Sequence, residues 1–445
     1  MLESGTRESL VAPNAATRLL EIVERNRNGE RVGTYAVCSS NPAVLDASIH
    51  QSLTDGSLLH VESTSSQVNQ FGGYSGLTPA QFADFIRSAA VNAGLSSQSV
   101  LLGADHLGPF AWKNEASASA MAKACQLARD CVSAGYQKIH LDASMPCADD
   151  GRAVEEPVIA ERAAILCEAA EQQAQATASV PPLYVIGTEV PPPGGEVAEG
   201  TCPPPTRIDD VHRTIEIFRS AFHARGLERA WQNVIALVVQ PGVEFGDAKV
   251  FDYDPKKAKP LADGLPADPH IIYEAHSTDY QSPAALAALV ENHFAVLKVG
   301  PWLTFAYREA IFALSAIERE TLGSNRNVQL SQVRECLDAA MLRNPAYWRS
   351  YYRGNEEELR FARAFSFSDR CRYYWPDRSV QEQVALLQRN LNDHPAPLTI
   401  LSQYLPMEYE AVRDGRLQNR PEAITRHHIQ KVLQTYAAAC GARLL

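Results

Sequence analysis

The chain has 445 residues, of which 45% are hydrophobic and 21% charged, so it can bury a large core and lacks the composition of a disordered protein. Its formal net charge of −11, without a dense run of lysine and arginine, excludes a surface built to bind nucleic acid. No stretch approaches the roughly 18 apolar residues of a membrane span, and the nine cysteines, scattered without a C-x-x-C pair, are typical of reduced thiols in the cytoplasm.

Short runs of apolar, β-branched residues recur along the chain, each followed by a longer helical pattern. Buried parallel strands have this composition and length, and strands that alternate with helices indicate β-α-β units. The eight runs cover residues 32–38, 58–62, 100–104, 138–142, 183–189, 234–240, 270–274 and 294–299. Eight such units in succession predict an α/β fold, the closed (β/α)8 or TIM barrel.

The segments between these runs have the signals of helices. Thr78, Pro79 and Gln81 provide an N-cap, a proline at the first helical position and a capping-box glutamine. Later helices are predicted over residues 120–134, 158–172, 208–225 and 283–291. The segment 191–205 is too rich in proline and glycine for a helix or strand, and its position after the fifth strand predicts a loop over the active face.

The pattern of the chain changes after residue 322, where no further strand run follows. We therefore divide the chain into a barrel over residues 1–322 and a mainly helical extension over residues 323–445. An aromatic, arginine-rich stretch at 365–376 interrupts the helical segments. Such residues suit either an interface with another molecule or packing against the barrel, and the pattern leaves both open.

The residues at the ends of the predicted strands are unusually polar. Barrel enzymes place their catalytic groups at the C-terminal ends of the strands, so these positions form the candidate site. They are Glu62, Asp105, His106, Asp142, Glu189, Gln240, Glu274, His276 and, within the last strand, Lys298. Carboxylates and imidazoles are costly to bury unless they are paired, protonated or bound to a metal.

Two interpretations of these polar groups stay open. His106, His276 and Glu189 could hold a zinc-like ion, because two imidazoles and a carboxylate leave an open position for a substrate oxygen. Alternatively, the same groups form a structural hydrogen-bond network. His60 and His140 each precede an acid by two residues and share its strand face, and we interpret both as satisfied core histidines.

A glycine-rich segment, residues 72–76, precedes the helix that begins near Thr78, and its backbone N–H groups could cradle an anion. The P-loop pattern G-x-x-x-x-G-K-[ST] occurs neither there nor elsewhere in the chain. Nucleotide-dependent phosphoryl transfer therefore has no support from that motif.

Nine distinctive segments occur in one order across almost the whole chain. They are GGYSGLTPAQF (72–82), GADHLGPFAW (103–112), KIHLDASMPCADD (138–150), YVIGTEVPPPGG (184–195), ALVVQPGVEF (236–245), YEAHSTDYQ (273–281), LKVGPWLTFAYREA (297–310), SFSDRCRYYWPD (366–377) and ILSQYLP (400–406). Together they resemble the Z subunit (GatZ/KbaZ type) family of D-tagatose-1,6-bisphosphate aldolase. The resemblance implies the fold of the zinc-dependent class II aldolases and a role in sugar metabolism such as galactitol catabolism.

The resemblance also implies roles for individual residues. His106 would be a metal ligand, and Asp105 the acid/base that exchanges a proton with the C4 hydroxyl of a ketose. Glu189 falls where a carboxylate lies near the metal, and His276 where the last metal histidine stands. Gln240 replaces a third histidine.

Gln240 is one difference from the catalytic class II aldolases, and a second difference lies directly after His276. Those aldolases have a Gly-Gly-Ser phosphate loop where this chain has Ser277, Thr278 and Asp279, and an aspartate there would repel a phosphate. Glu274 is a second candidate acid/base, because strand alternation puts it on the face of His276. We expect the substrate to contact Glu62, Asp142, Gln240, Ser277, Asp279 and Lys298.

Two functional hypotheses result. In the first, the chain is a Z-type subunit of D-tagatose-1,6-bisphosphate aldolase that stabilises and activates a catalytic Y subunit in an oligomer. In the second, it is a metal-dependent ketose 4-epimerase for tagatose, fructose or tagaturonate, which acts by retro-aldol cleavage, rotation of the aldehyde and re-addition. Both imply a divalent metal, zinc or alternatively manganese, and a small ketose or ketose phosphate as substrate.

Overall fold

The computed structural model describes residues 14–188 and 203–442. It contains ten strands: β1 (Thr34–Val37), β2 (Leu59–Thr64), β3 (Val100–Leu107), β4 (Lys138–Leu141), β5 (Leu183–Ile186), β6 (Val234–Val238), β7 (Glu244–Phe245), β8 (Val250–Phe251), β9 (Ile272–Ala275) and β10 (Phe294–Val299). Eight of them pair in parallel in the order β1-β2-β3-β4-β5-β6-β9-β10, and β10 pairs with β1 to close the barrel. The predicted (β/α)8 barrel is confirmed, and each predicted run overlaps one barrel strand.

Helices cover the outside of the barrel and form the C-terminal region. They are α1 (Ala15–Arg27), α2 (Pro42–Asp55), α3 (Pro79–Asn92), α4 (Ser117–Ser133), α5 (Glu156–Ala176), α6 (Ile208–Ala224), α7 (Glu228–Trp231), α8 (Pro255–Asp263), α9 (Pro283–Glu291), α10 (Pro301–Leu322), α11 (Val333–Arg343), α12 (Glu356–Phe365), α13 (Arg378–Asp393), α14 (Leu398–Tyr404), α15 (Pro406–Arg413) and α16 (Pro421–Ala439). The predicted capping box at the start of α3 is confirmed, because the Thr78 and Gln81 side chains bond reciprocally to the backbone.

The interior of the barrel is apolar toward one end and polar toward the other. Leu19 and Val23 of α1 cluster with Leu101 of β3 and Val296 of β10, so α1 closes the N-terminal end. Further along the strands the inward positions carry charged and imidazole groups instead, and all of them are buried: Glu62, Lys138, His140, Glu274 and Lys298. This polar layer supports the C-terminal mouth, where barrel enzymes have their sites.

The C-terminal region packs against the barrel. The last helix, α16, contacts α2, α9 and α10, and the Tyr436 hydroxyl donates a hydrogen bond to the Thr278 carbonyl at 2.7 Å. The aromatic stretch 365–376 also meets the barrel, since the Tyr373 ring packs on Tyr74 with centroids 4.8 Å apart. Among the described residues, no helix has the length and apolarity needed to cross a membrane. The predicted loop at 191–205 falls mostly on residues 189–202, outside the described residues.

Candidate active site

A cavity of about 260 Å³ lies at the C-terminal mouth of the barrel. The barrel contributes Asp105, His106, His276 and Lys298 to its lining. The C-terminal region contributes aromatic and arginine side chains, namely Tyr347, Tyr351, Arg370, Arg372 and Tyr373. A neighbouring cavity of about 490 Å³ contains none of the three clustered imidazoles described below, so the smaller cavity is the candidate site.

The backbone of β3 explains how two adjacent residues, Asp105 and His106, both reach this cavity. In a regular strand, adjacent side chains point to opposite faces. His106 has a φ of 45°, in the left-handed region, and the pairing of β3 with β4 shifts register between Ala104 and Leu107. The strand therefore bulges here and turns His106 toward the face of Asp105. A non-glycine residue in this conformation is uncommon, and such strain clusters at functional sites.

Three imidazoles, of His106, His140 and His276, lie next to one another, with ring centroids 4.9 to 5.3 Å apart. One nitrogen of each ring lies within 3.1 Å of a carboxylate oxygen; the pairs are His106 with Asp142, His140 with Asp105, and His276 with Glu274. Among the described residues, the second nitrogen of each ring has no hydrogen-bond partner, and Nε2 of His140 is fully buried. Metal-binding histidines have this arrangement, because a carboxylate on one nitrogen fixes the ring and leaves the other for the ion.

Next to the imidazoles, two lysines and three carboxylates form a buried ion-pair network. Glu62 contacts Lys298 and lies 2.7 Å from the Lys138 ammonium. Lys138 also contacts Glu274 at 2.7 Å, and Lys298 contacts Asp105 at 2.9 Å. The network thus connects β2, β3, β4, β9 and β10 across the barrel. Through Lys298 it also holds the carboxylate of Asp105 in place.

Burial and neighbouring charges set the protonation of these groups. Burial lowers the pKa of His276 to about 4, so this imidazole is neutral at pH 7. Burial alone would raise the pKa of Asp105, but the charges of His106 and Lys298 outweigh it and hold that pKa well below its usual range. Burial also opposes the charged form of Lys138, yet Glu274 and Glu62 raise the pKa of its ammonium. Neutral imidazoles and ionised carboxylates are the forms that bind metals, and His276 and Asp105 are in these forms. Burial alone would lower the pKa of His106, but Asp105 and Asp142 raise it, so a metal bound to this ring would displace a proton.

The charge of the barrel interior favours a bound cation. Two ammonium groups, of Lys138 and Lys298, face four buried carboxylates, which leaves two negative charges unbalanced, or one when His106 is protonated; the carboxylates are Glu62, Asp105, Asp142 and Glu274. A buried excess of charge is costly unless a counterion balances it. Donor atoms that could share one ion also converge, since those of Asp105, His140, Glu274 and His276 all lie within 4.8 Å of one another. The predicted ligand His106 is not a member of this group. These residues fit a divalent metal.

Three of the predicted substrate-binding residues, Ser277, Asp279 and Lys298, line the cavity. Oδ1 of Asp279 accepts N–H hydrogen bonds from Gly300 at 3.0 Å and from Trp302 at 2.8 Å. This carboxylate therefore occupies the N-terminus of α10, where a barrel could otherwise hold an anion. Burial raises the pKa of Asp279 to about 6.

Gln240 lies apart from the cluster. Its side-chain oxygen accepts N–H hydrogen bonds from Gly242 at 2.8 Å and from Val243 at 3.0 Å, so it fixes the turn that follows β6. Glu189, the predicted carboxylate ligand, lies outside the described residues, and its role stays a prediction.

The two histidines interpreted as core residues behave differently. His60 lies 2.7 Å from Glu62, so its prediction as a satisfied core histidine is confirmed. The same prediction is wrong for His140, because its Nε2 atom is buried without a hydrogen-bond partner among the described residues. The available signal was the spacing of His140 and Asp142, which puts both on the inner face of β4.

Comparison with known proteins agrees with this architecture. The family model for the D-tagatose-1,6-bisphosphate aldolase subunit GatZ/KbaZ-like family matches residues 19–441. The crystal structure of a probable tagatose 6 phosphate kinase from Sinorhizobium meliloti 1021 is 38% identical, with a TM-score of 0.83, and the match covers 92% of this chain and 100% of that one. The crystal structure of fructose-bisphosphate aldolase from Campylobacter jejuni is 13% identical, with a TM-score of 0.43, and the match covers 85% of this chain and 93% of that one. The chain belongs to the GatZ/KbaZ-like family of D-tagatose-1,6-bisphosphate aldolase subunits.

Proposed function

We propose that this chain reversibly cleaves the C3–C4 bond of a ketose, with inversion at C4 as the net reaction. Family membership supports an aldolase-type role in carbohydrate metabolism. The observation that carries the proposal is the group of three carboxylate-anchored imidazoles beside Asp105 at the barrel mouth. A chain that served only as a scaffold would gain no stability from burying an uncompensated set of charges.

The residues that would hold a divalent metal are His140 and His276, whose donor atoms converge with carboxylate oxygens of Asp105 and Glu274. His106 stays a predicted ligand; its Nε2 atom lies 3.8 Å from Oδ2 of Asp105 and makes no hydrogen bond with a described residue. We expect zinc, with manganese as the alternative, and Glu189 stays a further predicted ligand. A metal held there would supply Lewis-acid stabilisation of the ketose oxygens. The three carboxylates on the opposite ring nitrogens keep the imidazoles oriented.

Asp105 is the proposed acid/base. Its Oδ1 atom contacts Lys298 and His140, whereas Oδ2 receives no hydrogen bond from a described residue and can face the substrate. Glu274, the second candidate, has one oxygen against His276 and the other against Lys138, which leaves it less able to accept a proton. The Asp105 carboxylate is ionised at neutral pH, which is the form that can accept a proton.

The proton and the electrons balance in this scheme. During cleavage Asp105 takes the proton of the C4 hydroxyl, the C4 oxygen forms the aldehyde carbonyl, and the electrons of the C3–C4 bond stay on C3 in conjugation with the C2 carbonyl. During re-addition these electrons attack the opposite face of the aldehyde carbon. Asp105 then returns the proton to the C4 oxygen, so no further reactant is required.

Inversion is favoured because the C-terminal region covers the site. Tyr347, Tyr373 and Arg370 line the cavity opposite the imidazoles contributed by the barrel. An aldehyde retained in this cavity can rotate and rejoin C3, whereas an aldolase must release it.

The second candidate function is that of a Z-type subunit of D-tagatose-1,6-bisphosphate aldolase. The description of the family as an aldolase subunit favours it. In that case a catalytic Y subunit supplies the turnover, and this chain contributes stability to the assembly.

A panel of substrates tests the proposal. The purified chain alone is incubated with tagatose, fructose, tagaturonate, their terminal phosphate esters and tagatose 1,6-bisphosphate, with and without a chelator, and the products are identified. We expect C4 epimers, lost on chelation and restored by zinc or manganese. Cleavage of the bisphosphate to two trioses identifies an aldolase instead, and turnover that requires an added Y subunit favours the second candidate.

A further inference from the structure

Arg370 is a buried cation whose described neighbours are tyrosine side chains, of Tyr351 and Tyr373, and not carboxylates. It begins the short 3-10 helix Arg370–Tyr373, is 2% exposed and lines the same cavity as His106 and His276. Its Nε and Nη2 atoms are buried, and neither donates a hydrogen bond to a described residue. The guanidinium lies over the Tyr351 ring, 3.1 Å from its centroid, so one face of the group is apolar.

No described carboxylate forms a salt bridge with Arg370. Its sequence neighbour Asp369 is engaged elsewhere, by the Thr304 hydroxyl at 2.6 Å and the Arg308 guanidinium at 3.3 Å. Burial lowers the pKa of Arg370, as expected of a guanidinium that lacks a compensating anion. A buried charge without an anionic partner is costly, and contacts with the Tyr351 ring and the Tyr373 side chain offset that cost less than a carboxylate would.

The two free atoms of Arg370 are the pair suited to an oxyanion. Nε–H and Nη2–H lie on the same edge of the guanidinium and point in one direction, which matches two oxygens of a phosphate or carboxylate. Arg372 lines the same cavity; it donates to the Tyr373 hydroxyl at 2.9 Å and to the Asp369 carbonyl at 3.1 Å, and forms no salt bridge with a described carboxylate. Two positive charges in one cavity favour a doubly charged phosphate over a singly charged carboxylate.

The usual anion position of a barrel is filled by the chain itself. Barrel enzymes often hold phosphate with the loops after the last two strands and a helix N-terminus. Here the Asp279 carboxylate accepts the N–H groups of Gly300 and Trp302 at that point. An anionic substrate group must therefore bind elsewhere in the cavity.

We propose that Arg370, together with Arg372, binds the phosphate of a ketose that carries a terminal phosphate ester. The inference rests on the proposed function for the identity of the ketose, whereas the anion site depends on the arginines alone. The barrel would then supply the chemistry at C3 and C4, and the C-terminal region would hold the far end of the same molecule.

Inorganic phosphate is the probe for the first experiment, because its binding needs no turnover. Calorimetric titrations compare the wild type with Arg370→Met and with the matched control Arg349→Met, which removes one charge from an exposed arginine that lies over the Trp348 ring. We expect Arg370→Met to weaken phosphate binding at least 10-fold and the control to leave it unchanged. Because Arg370 forms no salt bridge with a described carboxylate, its replacement by methionine should leave the melting temperature unchanged or raise it.

Unchanged phosphate affinity in Arg370→Met, or a large fall in its melting temperature, overturns the proposal. If this variant does not fold, Arg370→Lys decides, since it keeps the charge but loses the bidentate edge of the guanidinium. Reduced phosphate affinity of Arg370→Lys supports the proposal, and wild-type affinity overturns it.

In turnover assays, Arg370→Met should raise KM for the ketose phosphate and not for the free ketose. An effect confined to the uronate would assign a carboxylate site instead. If phosphate binding depends on Arg370 but no ketose is turned over, the result supports the anion site and refutes the proposed function.

Discussion

The buried carboxylate of Asp279 should destabilise the fold at neutral pH, and Asp279→Asn should remove that cost. The side chain is 2% exposed, and burial raises its pKa to about 6, above the value of about 3.9 for a free aspartate. The folded protein therefore binds a proton more tightly than the unfolded chain, and its stability falls as the pH rises from about 4 to 6. A shift of about two pKa units corresponds to about 3 kcal/mol as an upper limit.

The test is the difference in free energy of unfolding between Asp279→Asn and the wild type across pH 4 to 8. Asparagine keeps an oxygen to accept the N–H groups of Gly300 and Trp302, so those two hydrogen bonds persist. We expect no difference near pH 4, a gain that grows through pH 6, and a plateau above it. The exposed Asp252→Asn is the control and should show no such profile. A variant less stable than the wild type at pH 8 would show that the ionised carboxylate is required, which refutes the reasoning.

Three further predictions concern the site and its support. Asp105→Asn should lower turnover about 100-fold while metal content, measured by elemental analysis, is retained. His140→Gln should weaken metal affinity at least 10-fold in a competition titration with a chromophoric chelator, whereas a purely structural His140 would leave it unchanged. Gly103→Ala places a Cβ 2.7 Å from Cγ of Glu62 and should cost about 1–3 kcal/mol in denaturant unfolding, unlike Gly246→Ala, where no atom lies within 4 Å.

The barrel strands could be predicted because strands buried on both faces read as continuous apolar runs. The end of β3 could not be predicted in this way, because the apolar run stops at Ala104. In the structure, β3 pairs with β2 as far as Asp105 and continues to Leu107. The hairpin of β7 and β8 was missed because two-residue strands leave no pattern to detect.

The polar residues at the strand ends predicted where the site lies. The hydrogen-bond and ion-pair partners of each side chain depend on tertiary structure and could not be predicted. His140 of β4 meets Asp105 of the neighbouring strand β3, close to the point where the pairing of these strands shifts register. No local rule predicts a left-handed conformation at a histidine, because that region of backbone space favours glycine. Sequence spacing therefore placed His140 on the inner face of β4 without showing that one of its nitrogens is unpartnered.

Arg370 shows a different limit of sequence reasoning. Composition marked the stretch 365–376 as aromatic and arginine-rich, but only packing shows that it faces the cavity. That packing crosses residue 322, because α16 contacts α2, α9 and α10 and its Tyr436 bonds to the loop after His276. The chain thus changes in secondary structure at residue 322 while the site continues across it. The family match over residues 19–441 covers both regions that line the cavity, the barrel with its imidazoles and the C-terminal region with its arginines.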